Sequence, residues 1–217
     1  LSRMALYRLQ EEGFEDSRIL RLMRLYDETC LALCEGQFMD IWTSEHDEWM
    51  SVDYYFDMIG RKTASLFAGS AEAGAVLATD DERVIESYRR FGWSLGTAFQ
   101  LNDDLLGIWG DEASTGKETS DIATRKKTLP LIYARERATG RDGERLRAIL
   151  DQSEVEPSAA EVAEVLDILE RVGAQAFTRE RAREHRDQAL AELASVGTVD
   201  GESMDRLAEV VRGVITA

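Results

Sequence analysis

Apolar side chains recur at intervals of three and four residues along almost the whole chain, which is the spacing of one face of an α-helix. The longest early run has apolar residues at Ile19, Leu22, Met23, Tyr26, Cys30, Leu33, Cys34, Phe38 and Ile41. Similar patterns predict helices over residues 53–73, 81–108, 128–138, 142–150, 158–172, 175–193 and 202–215. No segment alternates as a strand would, so the pattern predicts an all-α fold.

The ends of the predicted helices carry suitable local signals. Ser158 precedes Glu161 in a capping-box arrangement, and Asp80 or Asp81 precedes the apolar run over residues 83–108. A stretch rich in Gly, Ser, Thr and charge, residues 110–124, interrupts the helices and predicts an ordered functional loop or lid. No linker divides the chain, so we expect residues 1–217 to form a single helical domain. Because helix begins at the first residue, we also expect further helices upstream.

Composition excludes several classes of function. Hydrophobic residues make up 44% of the chain, enough for a substantial core. Forty-two acidic and 26 basic side chains give a net charge of −16, which disfavours binding to nucleic acid or an anionic membrane. The sequence has no run of roughly 20 apolar residues to span a bilayer and no signal-peptide pattern, so a cytoplasmic protein is expected. Two cysteines and two distant histidines predict neither a disulfide framework nor a zinc site.

The most informative feature is an acidic pair within an apolar helix. Asp103 and Asp104 lie among Leu101, Leu105 and Ile108. Burying unpaired carboxylates costs several kcal/mol, so such a position suggests that a cation balances them. Hard oxygen ligands without nearby His or Cys favour Mg²⁺, which commonly bridges to substrate phosphates.

Basic residues, scarce elsewhere, follow this helix. Lys117 and the cluster Arg125-Lys126-Lys127 lie downstream, and lysine ammonium groups complement phosphate oxygens. The alternative interpretation is a solvated loop whose charges are balanced by Glu112, Glu118 and Asp121.

A second polar group lies upstream. Gln37 and Asp40 are three residues apart on the first long helix, and Arg61-Lys62-Thr63 opens another apolar run. Each set alone is typical of polar side chains on an exposed helix surface. Together with the aspartates, the two sets could converge on one cavity.

The order of these motifs resembles the trans-isoprenyl diphosphate synthases, also called polyprenyl synthetases. The motifs are Gly36-Gln37-Phe-Met-Asp40, Lys62-Thr63-Ala-Ser-Leu-Phe67, Phe99-Gln100-Leu-Asn-Asp103-Asp104, Gly110-Asp111, Gly116-Lys117 and Arg125-Lys126-Lys127-Thr128-Leu129-Pro130. They extend to about residue 138, beyond which only the helical pattern is compatible. The resemblance implies a helical bundle around a central cavity and a magnesium-dependent prenyltransferase that joins an allylic diphosphate to isopentenyl diphosphate, acting as a homodimer.

The same resemblance implies roles for individual residues. Magnesium would be held by Asp103 and Asp104, with Asp111 as a further candidate ligand. Catalysis would involve Lys62, Thr63, Gln100 and Lys117, and substrate binding would involve Gln37, Asp40, Phe99 and Lys126.

Three departures from the family pattern stand out. Gly107 occupies the place of a third aspartate, so that Asp111, one turn further on, is the candidate outer carboxylate. Arg125 replaces a glycine. The family's first aspartate-rich motif would lie upstream of Leu1, so we expect either a missing N-terminal portion or a degenerate or partner subunit.

Two other classes of function stay open. A class I terpene cyclase shares the fold and the ionisation chemistry, and Asp103, Gly107 and Asp111 have the spacing of its second metal motif. A regulatory subunit of a synthase would keep the fold without turnover. Retention of Asp103, Lys117 and Lys126 argues against such a scaffold, because a charged pocket is costly to maintain.

Overall fold

The computed structural model describes residues 2–46, 49–110, 121–152, 156–196 and 201–214, and within these ranges it consists of helices and turns, with no strand. The elements in chain order are α1 (Ser2–Glu11), α2 (Asp16–Glu45), α3 (Val52–Ile59), a π-helical turn (Gly60–Ala64), α4 (Ser65–Ala78), α5 (Glu82–Trp109), α6 (Leu129–Arg137), α7 (Gly140–Leu150), α8 (Ala159–Arg171), α9 (Ala174–Ser195) and α10 (Gly201–Val214). The prediction of an all-α fold is therefore confirmed. In the described ranges no helix is both long enough and apolar enough to cross a membrane.

Helix α5 is the centre of the fold. It packs most extensively against α9 and α4 and also contacts α10, α6 and the π-helical turn. Its apolar positions Leu101 and Leu105 are fully buried, and Ile108 is nearly so. The aspartate pair thus lies on a helix that is enclosed on several sides.

Close contacts between backbones bring α5 against α4 and the π-helical turn. A Cβ atom added to Gly92 would lie 2.7 Å from the Ala68 Cα, and one added to Gly96 would lie 2.8 Å from the Ala64 Cα. These glycines allow α5 to approach α4 and the π-helical turn more closely than side chains would permit. The approach places the Lys62 and Thr63 segment beside the middle of α5.

The caps predicted from sequence are present. Asp81 accepts a hydrogen bond from the Arg83 N–H at the start of α5, and Ser158 forms the complete capping box with Glu161. One prediction was wrong: residues 53–73 are not one regular helix. A π-helical turn interrupts the helix at Gly60–Ala64, and α4 continues to Ala78. Residues 111–120 of the predicted loop lie outside the described residues.

Candidate diphosphate-binding site

The two aspartates of α5 point in different directions, because neighbouring residues in a helix are about 100° apart around its axis. The Asp103 side chain is 40% exposed, whereas that of Asp104 is only 1% exposed. Asp103 therefore faces the open side of the site, and Asp104 faces the interior.

Both oxygens of Asp104 accept hydrogen bonds from protein groups. Oδ2 accepts from the Tyr55 hydroxyl and, at 2.9 Å, from the Leu129 N–H. Oδ1 accepts from Gln100 Nε2 at 3.2 Å. This buried carboxylate consequently joins α3, α5 and the first residue of α6.

Burial also changes the pKa values of Asp104 and of its hydrogen-bond donor Tyr55. It raises the pKa of Asp104 to about 6, although the Lys126 charge and the three hydrogen bonds act in the opposite direction. Burial, reinforced by the Asp104 charge, raises the pKa of Tyr55 well above its ordinary value. Tyr55 therefore stays protonated and serves as a donor to Asp104.

The ammonium group of Lys126 lies among three carboxylates. Its Nζ is 3.4 Å from Asp103 Oδ2, 3.5 Å from Asp121 Oδ2 and 3.9 Å from Asp104 Oδ1. Burial alone would lower the pKa of Lys126, but the charges of the three aspartates outweigh it and raise the pKa overall. Lys126 is thus a stable cation at the mouth of the site.

The π-helical turn adds two more polar groups. Thr63 Oγ1 donates to Gln100 Oε1 at 2.9 Å, so Gln100 bridges Thr63 and Asp104. Lys62 Nζ donates to Asp40 Oδ2 at 2.5 Å, which joins the turn to α2. A π-helical turn inserts one extra residue into a helix and is frequent at functional sites.

The structure brings most of the predicted residues into this region. Asp40, Lys62, Thr63, Gln100, Asp103, Asp104 and Lys126 form the contacts just described. Phe99 is 46% exposed and contacts the Phe67 ring, with centroids 5.5 Å apart. Gln37 is exposed on α2 one turn before Asp40. Asp111 and Lys117 lie outside the described residues.

Two residues of the site were not predicted from sequence. Tyr55 reads as one of several aromatic core residues on α3, and its hydroxyl contact with Asp104 depends on helix packing. The sequence suggests only a charge-balancing role for Asp121 in the loop, yet the residue is buried and contacts Lys126. The signal that could have located Asp121 is Gly107, whose missing side chain leaves the space that Asp121 fills.

The donor set suits a hard cation that shares substrate oxygens. Among the described residues, no three acidic, histidine or cysteine side chains converge closely enough to hold a metal ion by themselves. Mg²⁺ commonly uses one or two carboxylates and completes its shell with water and phosphate oxygens. An outward aspartate flanked by Lys126, with Lys62 on the neighbouring turn, is consistent with that mode of binding.

A bundle of helices around α5, with two aspartates on that helix and Lys62 and Lys126 beside it, is the arrangement that the resemblance to isoprenyl diphosphate synthases predicts. Residues 2–169 match the model of the polyprenyl synthetase family, and the chain belongs to that family. It is 35% identical over 186 residues to a short chain isoprenyl diphosphate synthase of Methanothermobacter thermautotrophicus, covering 85% of this chain and 56% of that protein. The chain therefore spans little more than half the length of this relative.

Solved structures agree with the fold. A polyprenyl synthetase from Streptomyces coelicolor superposes with a TM-score of 0.86 at 32% identity, covering 98% of this chain and 63% of that one. A geranylgeranyl pyrophosphate synthase from Corynebacterium glutamicum, complexed with isoprenyl diphosphate and magnesium, superposes with a TM-score of 0.82 at 27% identity, covering 96% and 58%. The predicted family and fold are thereby confirmed.

Proposed function

We propose that this chain carries the diphosphate-binding part of a prenyltransferase that joins an allylic diphosphate to isopentenyl diphosphate and yields a linear polyprenyl diphosphate. The observation that carries the proposal is the bridge made by Gln100. Its side chain joins Thr63 of the π-helical turn to Asp104 of the aspartate pair. One site thereby combines the acidic helix with the lysine-bearing turn.

Magnesium is the metal that this donor set fits. Asp103 is the outward carboxylate for it, and Asp111, one helical turn beyond Gly107 in sequence, stays a proposed ligand. The bound ion would neutralise charge that develops on the diphosphate leaving group. Because Asp104 is buried and accepts hydrogen bonds on both of its oxygens, we assign it to holding the site together and to the electrostatic field around the ion.

The lysines bind the diphosphate in this proposal. Lys126 lies beside Asp103 and Lys62 lies on the π-helical turn, and we assign Lys117, which is outside the described residues, to the same role. When the allylic carbon–oxygen bond breaks, its electron pair passes to the diphosphate, and these ammonium groups stabilise the charge. The isopentenyl double bond then attacks the allylic cation, a carbon–carbon bond forms, and a proton is lost.

Apolar and polar side chains on α5 and the neighbouring elements have separate roles in this proposal. Phe99 and Phe67 offer an apolar surface for the alkyl chain of the allylic substrate. Gln100 and Thr63, hydrogen-bonded to each other, orient oxygen atoms beside the reacting carbons. In this proposal Gln37 and Asp40 bind substrate from α2, where Asp40 pairs with Lys62. We also propose a homodimer located in the cytoplasm.

Product analysis tests this function. The purified protein is incubated with Mg²⁺ and geranyl diphosphate, with and without isopentenyl diphosphate. We expect longer polyprenyl diphosphates only when both substrates are present. Asp103→Asn should abolish turnover, whereas Asp142→Asn, which changes an exposed ion pair with Arg171, should not.

Other products would contradict the proposal in identifiable ways. A hydrocarbon or alcohol formed from geranyl diphosphate alone would indicate a terpene cyclase. Tight diphosphate binding without any turnover would indicate a non-catalytic subunit.

A further inference from the structure

The turn that carries Lys126, residues 121–128, is attached to the ends of two helices. Lys127 Nζ donates to the Thr43 carbonyl in the last turn of α2. Arg125 Nε donates to the Ile149 carbonyl, at 3.2 Å, in the last turn of α7. The last carbonyls of a helix have no partner within it, and basic side chains satisfy them well. Lys126 therefore lies between two residues that are each held by a different helix.

The side chain of Lys127 is placed differently from that of Lys126. Besides its contact with Thr43, its Nζ lies 5.8 Å from the centroid of the Trp49 ring. Trp49 is itself held, because its Nε1 donates to Asp151 Oδ1 at 3.0 Å. These contacts keep the Lys127 ammonium group at the end of α2, whereas that of Lys126 lies beside the Asp103 carboxylate.

The same end of α2 also holds the second lysine of the proposed diphosphate site. Asp40, one turn before Thr43, accepts a hydrogen bond from Lys62 Nζ at 2.5 Å. Thr43 is only 4% exposed, and its Oγ1 donates to the Asp40 carbonyl at 3.0 Å. Lys62 and the turn of Lys126 are far apart in sequence, yet both are joined to the last two turns of α2.

We propose that Lys127 is a positioning residue for diphosphate binding, which holds the turn on α2 and thereby fixes the spacing between Lys126 and Lys62. The inference rests on the function proposed above and adds to it the residue that sets this spacing. A diphosphate has two phosphoryl groups and can engage both lysines at once, whereas a monophosphate has only one. Without Lys127, Lys126 keeps its charge, but its position must be ordered when the diphosphate binds, and affinity falls.

Two other roles for Lys127 make different predictions. If Lys127 only stabilised the fold, its loss would lower the free energy of unfolding without changing the affinity of the folded protein. If it acted only through its charge, its loss would weaken binding whether or not Lys126 were present. If it positions Lys126, its effect on affinity should disappear once Lys126 is removed.

Binding of two ligands tests the role of Lys127. Calorimetry in the presence of Mg²⁺ measures the affinity for geranyl monophosphate and for a geranyl diphosphate analogue in which sulfur replaces the bridging oxygen. Lys127→Met should weaken binding of the diphosphate analogue roughly 10-fold, as is usual when a group that orients a binding side chain is lost. It should leave binding of the monophosphate nearly unchanged. In a Lys126→Met background, Lys127→Met should have no further effect.

Arg18→Met is the matched control. Arg18 Nη1 donates to the Leu77 carbonyl at 3.2 Å in the last turn of α4, so this variant also removes a contact between a basic side chain and a helix end. Arg18 lies about 33 Å from Asp40 along α2, at 1.5 Å per residue. Its loss should lower the urea midpoint and leave both affinities unchanged. If Lys127→Met does not fold, Lys127→Gln takes its place.

The outcomes separate this inference from the proposed function. Failure of the unaltered protein to bind the diphosphate analogue would refute the proposed function. An affinity for the diphosphate analogue that is unchanged in Lys127→Met, reduced equally for the monophosphate, or reduced further in the Lys126→Met background would overturn the role of Lys127 alone.

Discussion

Arg125 has a backbone conformation that suits glycine better than arginine. Its φ is 53°, in the left-handed region that costs a residue with a Cβ roughly 1–2 kcal/mol. Its side chain offsets part of this cost, because Nε donates to the Ile149 carbonyl, 3.2 Å away in the last turn of α7. The reversal at Arg125 directs Lys126 toward the aspartates and Lys127 toward the Thr43 carbonyl.

The strained backbone and the side-chain hydrogen bond of Arg125 together predict that glycine at position 125 gives a more stable protein than alanine. Arg125→Ala loses the hydrogen bond and keeps the strained backbone, whereas Arg125→Gly loses the same bond and relieves the strain. After allowance for the greater freedom of glycine in the unfolded chain, the glycine variant should be more stable than the alanine variant by about 1 kcal/mol. Urea unfolding of both proteins measures the difference. An alanine variant as stable as the glycine variant would show that the left-handed turn carries no strain.

Asp104 should give the protein a pH dependence opposite to that of most aspartates. Its pKa rises from an ordinary 3.8 to about 6 on folding, so the folded state binds the proton more tightly than the unfolded state does. The free energy of unfolding should therefore fall as the pH rises from 3.8 to about 6. By linkage this contribution is at most about 3 kcal/mol.

Urea unfolding in EDTA across this pH range tests the prediction for Asp104. Asp104→Asn should lower stability overall and remove this part of the slope. Asp103→Asn, which leaves the buried carboxyl group in place, should keep it. Equal slopes in the unaltered protein and Asp104→Asn would assign the pH dependence to other groups.

At the scale of residues, the sequence identified the aspartate pair but did not show that Asp103 faces outward and Asp104 faces the interior. Which of two adjacent residues faces inward depends on how α5 is rotated against α9 and α4, and the apolar pattern around the pair fits either choice. Tyr55 was missed because its hydroxyl contact with Asp104 joins helices that are far apart in sequence. Asp121 was missed because its burial depends on how the segment after the loop packs against Gly107 of α5. The motifs shared with the family identified the other polar residues of the site, namely Gln100, Thr63, Lys62 and Asp40.

At the scale of elements, the apolar pattern predicted most helices to within a few residues, because caps such as Asp81 and Ser158 are encoded locally. The π-helical turn was not predictable, since a single extra residue barely disturbs a 3.6-residue period. Its position depends on tertiary contacts. The backbone of Lys62 packs on Gly36 of α2, where an added Cβ atom would lie 2.7 Å from the Lys62 Cα.

Substitution by alanine should have opposite effects at Gly36 and Gly74, because only Gly36 lies against a neighbouring backbone. Gly36→Ala should destabilise the protein by about 1–3 kcal/mol, because backbone atoms must move apart, and it should weaken the Lys62–Asp40 pair. Gly74→Ala on α4, where an added Cβ atom meets nothing within 4 Å, should instead stabilise it by about 0.5–1 kcal/mol. Thermal and urea unfolding of both variants provide the comparison. Stabilisation by Gly36→Ala would mean that α2 and the turn are not in close contact.

At the scale of the whole molecule, α2 carries an exposed apolar stripe. Leu20, Leu31, Phe38 and Trp42 are each 45% exposed or more. Their spacings of 11, 7 and 4 residues place all four on one side of the helix. The stripe extends about 33 Å at 1.5 Å per residue. On a chain with a net charge of −16, so long an apolar surface is typical of one that another protein surface covers.

The proposed homodimer would cover this stripe, because a two-fold axis can pair one α2 with the α2 of a second copy. Phe38, 63% exposed and 5.8 Å from the Trp42 ring, lies within the stripe. Phe38→Asp would place a charge in the interface and should convert the dimer to a monomer at micromolar concentration. Val210→Asp, at a position 56% exposed on α10, tests whether any new surface charge has this effect and should leave the dimer intact. Light scattering coupled to gel filtration measures the mass of all three proteins. A monomeric unaltered protein would mean that the stripe serves another partner or another segment, and a dimer that survives Phe38→Asp would move the interface away from α2.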